Sequence, residues 1–163
     1  MRCLAILFSL ALVSDVLAGD GTRICEPCLN VDGTLTTTTT YQTVAGTTVG
    51  QPNSEYAYAF CATVGGAYRF TFCEGGGSAS WDTGLSVWNG ATACTGAYIV
   101  CNDDFCSVQS QVDFTAVTAG NYIAVVDGFS TYEGAYTLAY RGPACGPSAN
   151  SSTTWGSVKG LYR

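Results

Sequence analysis

The run from Trp81 to Tyr140 decides the fold. It reads W-D-T-G-L-S-V-W over 81–88, C-N-D-D-F-C over 101–106, A-G-N-Y-I-A-V-V-D-G-F over 119–129 and G-A-Y-T-L-A-Y over 134–140. Apolar residues alternate with small or polar ones at period two, and Gly, Asn and Asp punctuate the runs. That spacing predicts strands over 85–88, 97–101, 111–116, 121–127 and 135–141. No segment carries the 3.6-residue period of a helix.

Upstream, 56–64 and 68–73 read as a hairpin around Gly65-Gly66. Tyr58, Phe60 and Ala62 are expected to share a face with Tyr68, Phe70 and Phe72, leaving Arg69 and Thr71 in water. Residues 35–44, with Thr36 to Thr40 at their centre, favour one extended β-branched strand. About eight strands with frequent turns indicate an all-β fold, a two-sheet antiparallel β-sandwich of jelly-roll type. The expected core is Tyr58, Phe60, Phe70, Phe72, Leu85, Val87, Tyr122 and Val125, between the two sheets. The glycine-rich segment 74–80 lacks a Gly-Lys-Ser/Thr ending and reads as a loop, not a phosphate cradle.

Asp82-Thr83, Cys101-Asn102-Asp103-Asp104 and the run from Gly120 to Phe129 together resemble the bacterial pre-peptidase C-terminal domain, a secreted β-sandwich usually attached to a catalytic unit. The resemblance spans Thr34 to Arg141. It implies an accessory role beside a secreted peptidase, with binding of a substrate polymer in some members. No peptidase precedes the module in this sequence, so a free-standing binding or surface protein is expected instead. The resemblance also implies calcium near an N-terminal linker, where the acids here are Asp20, Glu26 and Asp32.

The flanks complete the organisation. Met1-Arg2, an apolar run from Leu4 to Leu12 and Val16-Leu17-Ala18 form a secretory signal over 1–18, too short to span a bilayer. An arm over 19–33 holds Cys25 and Cys28. After the sandwich domain, 34–141, residues 142–154 read as a linker, and 155–163 as an aromatic, basic tail that resembles a short C-terminal tail of some secreted bacterial proteins in its Trp-Gly pair and terminal Tyr-Arg, or else is a frayed end or an added edge strand. Asn150 heads an N-glycosylation pattern. Cys3 leaves with the signal, so eight of the nine cysteines remain, and an even count in a secreted chain implies four disulfides. Cys94 is expected to pair with Cys101 across Thr95-Gly96, and Cys73 with Cys106. Cys25, Cys28, Cys61 and Cys145 would then share the other two bonds. Cys25-x-x-Cys28 lacks a strand–helix setting and reads as structural, not redox-active.

Composition excludes several functions. The net charge is −6 and the basic residues are scattered, which removes nucleic acid as a partner and disfavours anionic membranes. Histidine is absent, which removes His-based triads and His-ligated zinc. The only lysine, Lys159, lies in the tail. A glycosidase pair drawn from Glu74, Asp82, Asp103, Asp104, Asp127 and Glu133 has no feature marking a raised-pKa acid, so no enzyme is expected.

Two site readings stay open. Asp82, Asn102, Asp103 and Asp104 offer oxygen ligands on loops and suit calcium. The competing reading makes Asn102 and Asp103 an Asx turn, with Asp82 capping loop backbone. Trp81, Phe105, Phe129 and Tyr132 fall in loops, where they would stack on a polymer or act as lids. The expected function is a secreted, non-catalytic module binding or presenting an extracellular polymer or protein surface. The rival is a structural subunit of a fibre or coat that self-associates by adding strands at sheet edges.

Overall fold

In the computed structural model, residues 24–145 are described. The signal segment, Asp20, the linker beyond Cys145, Asn150 and the tail lie outside them. The described residues form ten strands: β1 (Gly33–Leu35), β2 (Gln42–Thr47), β3 (Tyr56–Ala62), β4 (Ala67–Thr71), β5 (Ser78–Ala79), β6 (Thr83–Asn89), β7 (Thr95–Asn102), β8 (Gln111–Thr115), β9 (Gly120–Gly128) and β10 (Ala135–Arg141). The first sheet has the order β1-β3-β9-β6-β7, and the second β2-β10-β4-β8 with β5 beside β10. Pairing is antiparallel except between β1 and β3. No helix among the described residues is long and apolar enough to cross a membrane. The all-β, disulfide-stapled sandwich read from the sequence is what the chain forms.

The core lies where alternation places it. Tyr58, Phe60, Phe70, Phe72, Leu85, Val87 and Tyr122 are all buried between the sheets. The Phe60 ring meets Phe70 at 4.9 Å and Tyr122 at 5.9 Å between centroids, tilted or stacked as aromatic quadrupoles prefer. The hydroxyls of Tyr58 and Tyr136 satisfy one another at 2.9 Å inside this layer. Val125 is buried too, but on the opposite face of the first sheet. It is three residues from Tyr122, and strand parity forbids them one face. Val125 packs with Ala57, Trp88, Ile123, Cys28 and Cys94 beneath the N-terminal arm.

Four further expectations are corrected. The segments around Gly65-Gly66 are not a hairpin: β3 belongs to the first sheet and β4 to the second. Phe60 and Phe70 therefore face each other across the interior. Alternation cannot tell a hairpin from an arch, because both turn the same residues inward. The strand expected over 35–44 breaks into β1 and β2, one in each sheet. Within the break Thr38 Oγ1 donates to the Thr40 carbonyl, a local bond that competes with a ladder, and Thr37 Oγ1 donates to the distant Pro143 carbonyl. Thr71 does face outward, yet it is fully buried under the loop around Gly77. That loop, 74–80, carries β5.

The disulfides join Cys25 to Cys101, Cys28 to Cys94, Cys61 to Cys145 and Cys73 to Cys106, with Cα separations of 5.8, 5.1, 5.7 and 6.1 Å. The expected Cys94–Cys101 bond does not form. Thr95-Gly96 is not a turn but the start of β7, so the two cysteines sit near opposite ends of one strand. Seven residues of strand separate them by roughly 23 Å, beyond any disulfide. Both instead reach the arm, which they clamp onto the outer face of the first sheet.

Candidate functional site

One end of the sandwich is built from three loops: the residues before β6, those between β7 and β8, and those between β9 and β10. Their backbones are tied together. Phe129 N–H donates to the Asp82 carbonyl at 3.1 Å, and Thr83 N–H donates to that of Val108 at 3.0 Å. Ser110 N–H donates to Thr83 Oγ1 at 2.9 Å. The Cys73–Cys106 bond anchors the middle loop to the end of β4.

On this frame the carboxylates of Asp82, Asp103 and Asp104 converge, with one oxygen of each within 4.8 Å of the others. Asp82 Oδ1 and Asp103 Oδ1 are buried and accept no hydrogen bond. Burial, and then the neighbouring Asp104 carboxylate, push the Asp82 carboxyl above its ordinary range. Asp103 is raised by the same causes, with Asp82 adding to Asp104. Asn102 does not join them: its Oδ1 accepts from Gln111 N–H at 3.2 Å and braces the loop.

The loop aromatics divide. Phe105, Phe129 and Tyr132 are 58 %, 46 % and 54 % exposed. Trp81 is 7 % exposed, and its Nε1 donates to the Ala135 carbonyl at 3.0 Å. It belongs to the core and is not an accessible platform. Gly134 stands where a Cβ would overlap the indole, so the tight entry to β10 exists to seat this ring.

A second group of acids lies under the arm. Glu55 and Asp127 are 7 % and 4 % exposed; Glu55 immediately precedes β3 and Asp127 lies in β9, on the face that holds Ala57 and Val125. Glu26 and Asp32 approach from the arm. Asp32 Oδ2 accepts from Ala57 N–H at 2.8 Å, while Glu26 Oε2 is buried without a partner. Burial, with Asp127 next, pushes Glu55 up to about 8. Burial raises Asp127 to about 7, against the pull of the Gly128 N–H. Sequence reading names Glu26, Asp32 and Asp127 but passes over Glu55. The available signal was parity, since Glu55 continues the outward Ala57 position and Asp127 the outward Val125 position.

No model of a known protein family matches the chain, and no curated protein matches it in sequence. Solved structures do. A periplasmic inhibitor of g-type lysozyme from Aeromonas hydrophila superposes with a TM-score of 0.50 at 16 % identity, covering 68 % of this chain and 98 % of that one. The pre-peptidase C-terminal domain of collagenase from Bacillus anthracis superposes with a TM-score of 0.51 at 12 % identity, covering 68 % and 96 %. The chain has the β-sandwich fold of the pre-peptidase C-terminal domain, as its Asp82-Thr83 and Asn102-Asp103-Asp104 segments imply.

Proposed function

We propose that the protein is a secreted, non-catalytic binding module, and that the end carrying Asp82, Asp103 and Asp104 engages an extracellular polymer or protein surface with calcium as its organising ion. The observation that carries this reading is the juxtaposition of three converging carboxylates with two exposed rings, Phe105 on the loop of Asp103 and Asp104 and Phe129 on the loop whose backbone bonds to Asp82. Two carboxylate oxygens buried without donors are unfavourable in the absence of a cation. Calcium takes such oxygens from flexible loops. Exposed rings beside it supply apolar contact area.

Several features support the rest. Four disulfides suit an oxidising compartment. Histidine is absent and the eight described cysteines are bonded, so no nucleophile activated by His and no free thiol is present among the described residues. The three carboxylates crowd together and do not face one another across a substrate-wide gap of roughly 5–10 Å. The lysozyme inhibitor among the similar structures acts on another protein, which is in keeping with a protein partner here.

Thermal melts in millimolar calcium and in EDTA test the reading. Calcium at a hundredfold excess over its dissociation constant would add about 2.7 kcal/mol to the folded state. Asp103→Ala is expected to remove most of that gain and to leave the EDTA melt nearly unchanged. Superimposed melts, with no heat of calcium binding, would overturn it. The rival assembly reading is favoured by one observation: β7 is a sheet edge with Tyr98 and Ile99 exposed, 51 % and 41 %. Size-exclusion chromatography separates the two. A monomer at all concentrations supports the binding module, and concentration-dependent larger species support assembly.

A further inference from the structure

The outer face of the second sheet carries a polar row that the loop end does not use. Register places Arg141 opposite Arg69, and Arg69 opposite Asp113, with Tyr41 next to β2 at the Arg141 end. At about 4.8 Å per strand the row is roughly 14 Å long. Arg69 and Arg141 are the only cations among the described residues. Both therefore stand side by side on one face of an otherwise acidic body.

The row is locked before any ligand arrives. Arg69 grips Asp113 with two bonds, Nε to Oδ1 at 2.6 Å and Nη2 to Oδ2 at 3.0 Å. Its Nη1 donates to Glu74, which also accepts from the Tyr41 hydroxyl. Gln111 Nε2 donates to Asp113 Oδ2 at 3.1 Å. Planar donors and acceptors thus lie side by side in fixed orientation and half exposed, so ordering them costs a ligand little. Arg141 differs from Arg69. Its guanidinium rests 4.9 Å from the centre of the Tyr41 ring and makes no ion pair among the described residues. Stacking leaves the edge of the guanidinium, with its fork of donors, available to a carboxylate.

Two cavities adjoin at Arg69. One, of about 280 Å³, is lined by Thr39, Ala67, Asp113, Arg141 and Pro143. The other, of about 390 Å³, is lined by Cys73, Glu74, Phe105 and Gln111. Together they form a groove along β4 and β8, with the exposed Phe105 ring at its far end.

We propose that this groove binds an acidic polysaccharide, in which Arg141 takes a sugar carboxylate, the Arg69–Asp113–Gln111 lattice meets ring hydroxyls, and Phe105 stacks on a sugar face. Hydroxyls both donate and accept, so they match a lattice that alternates guanidinium, carboxylate and amide. A peptide that paired with the free β8 edge would leave this row uncovered, because the row lies on the face of the sheet. Phe105 is shared with the loop end, but the contacts of Arg141, Arg69, Asp113 and Gln111 do not depend on calcium or a partner there.

Calorimetric titration of the secreted protein with tetragalacturonate at low salt tests it, with the carboxyl-reduced tetrasaccharide and hexa-aspartate as comparison probes. The uronate oligomer is expected to bind, to weaken with added salt, and to perturb the amide resonances of Ala67 and Asp113. Arg141→Gln is expected to weaken it at least tenfold. Phe129→Ser, at the other site, is expected to leave it unchanged, so failure here and failure of the loop-end reading are read separately. No heat and no resonance shifts with tetragalacturonate would overturn the proposal. So would equal affinity for the reduced sugar, equal affinity in Arg141→Gln, or hexa-aspartate binding as tightly as the uronate.

Discussion

Replacing Glu55 with Gln should change how stability depends on pH, and the structure fixes the direction. An unfolded chain holds this carboxyl near its ordinary value of 4.5, whereas the folded chain raises it to about 8, through burial first and the Asp127 carboxylate second. Between those values the folded protein keeps a proton that the unfolded chain releases. Stability from this group is therefore complete below pH 4.5 and is lost as the pH climbs through about 8. At 1.36 kcal/mol per pH unit the difference has a ceiling of about 5 kcal/mol. Side-chain relaxation and water entry under the arm reduce that to about 2–3 kcal/mol. Gln is neutral throughout and still offers an oxygen to the Leu29 N–H that Glu55 meets. The variant should match the parent at pH 4.5 and exceed it at pH 8.5, where about 2 °C or more in melting temperature per kcal/mol is expected. Calorimetric melts at pH 4.5, 6.5 and 8.5, in EDTA and with disulfides intact, measure this. Parallel profiles for the two proteins would refute the buried-carboxyl reasoning, as would a variant that is less stable at pH 8.5.

Two further outcomes are expected. Phe70→Ala empties a fully buried site between Phe60 and Tyr140 and should cost about 3–5 kcal/mol in denaturant unfolding, whereas a loss below 1 kcal/mol would place Phe70 outside the inter-sheet layer. Non-reducing peptide mapping should recover Cys25 with Cys101 and Cys28 with Cys94, and the Cys25→Ser, Cys101→Ser double variant should lose about 2–5 kcal/mol; a Cys94–Cys101 fragment would contradict the arm clamp.

Which residues face inward was legible because it needs only local alternation. Tyr58, Phe60, Phe70 and Phe72 are inside whether their strands pair or oppose. Which sheet each strand joins was not legible, because that choice rests on contacts distant in sequence. The β3–β4 arch and the break in the threonine run both turn on it. The cysteine pairing failed for a related reason. Thr95-Gly96 looks like a turn, but pairing with Asn89 draws Thr95 into β7, and the partners of Cys101 and Cys94 lie 76 and 66 residues away in the arm. Asp103 and Asp104 are neighbours in one loop, so their proximity was legible; that the Asp82 carboxylate joins them from a second loop rests on the packing of the sandwich end. Burial of Trp81 was not, since it depends on Gly134 in a distant loop. The Tyr41–Arg141–Arg69–Asp113 row is invisible in sequence, because its members come from four separate segments.

The path of the chain between the sheets has a consequence for how the protein comes apart. Successive strands β1 to β4 alternate sheets, as do β7 to β10, and only the steps β4 to β5 and β6 to β7 stay on one side. Neither sheet is a continuous stretch of polypeptide, so neither can form as an independent unit and wait for the other. Every cross-sheet step commits its neighbours to the same event, and loop closure must come before most contacts are gained. A chain laced in this way has no natural first tear. Pulling or digesting it in the oxidised state meets one collective barrier, not a series of small ones. Resistance to proteases is then expected to be kinetic, even when equilibrium stability is ordinary.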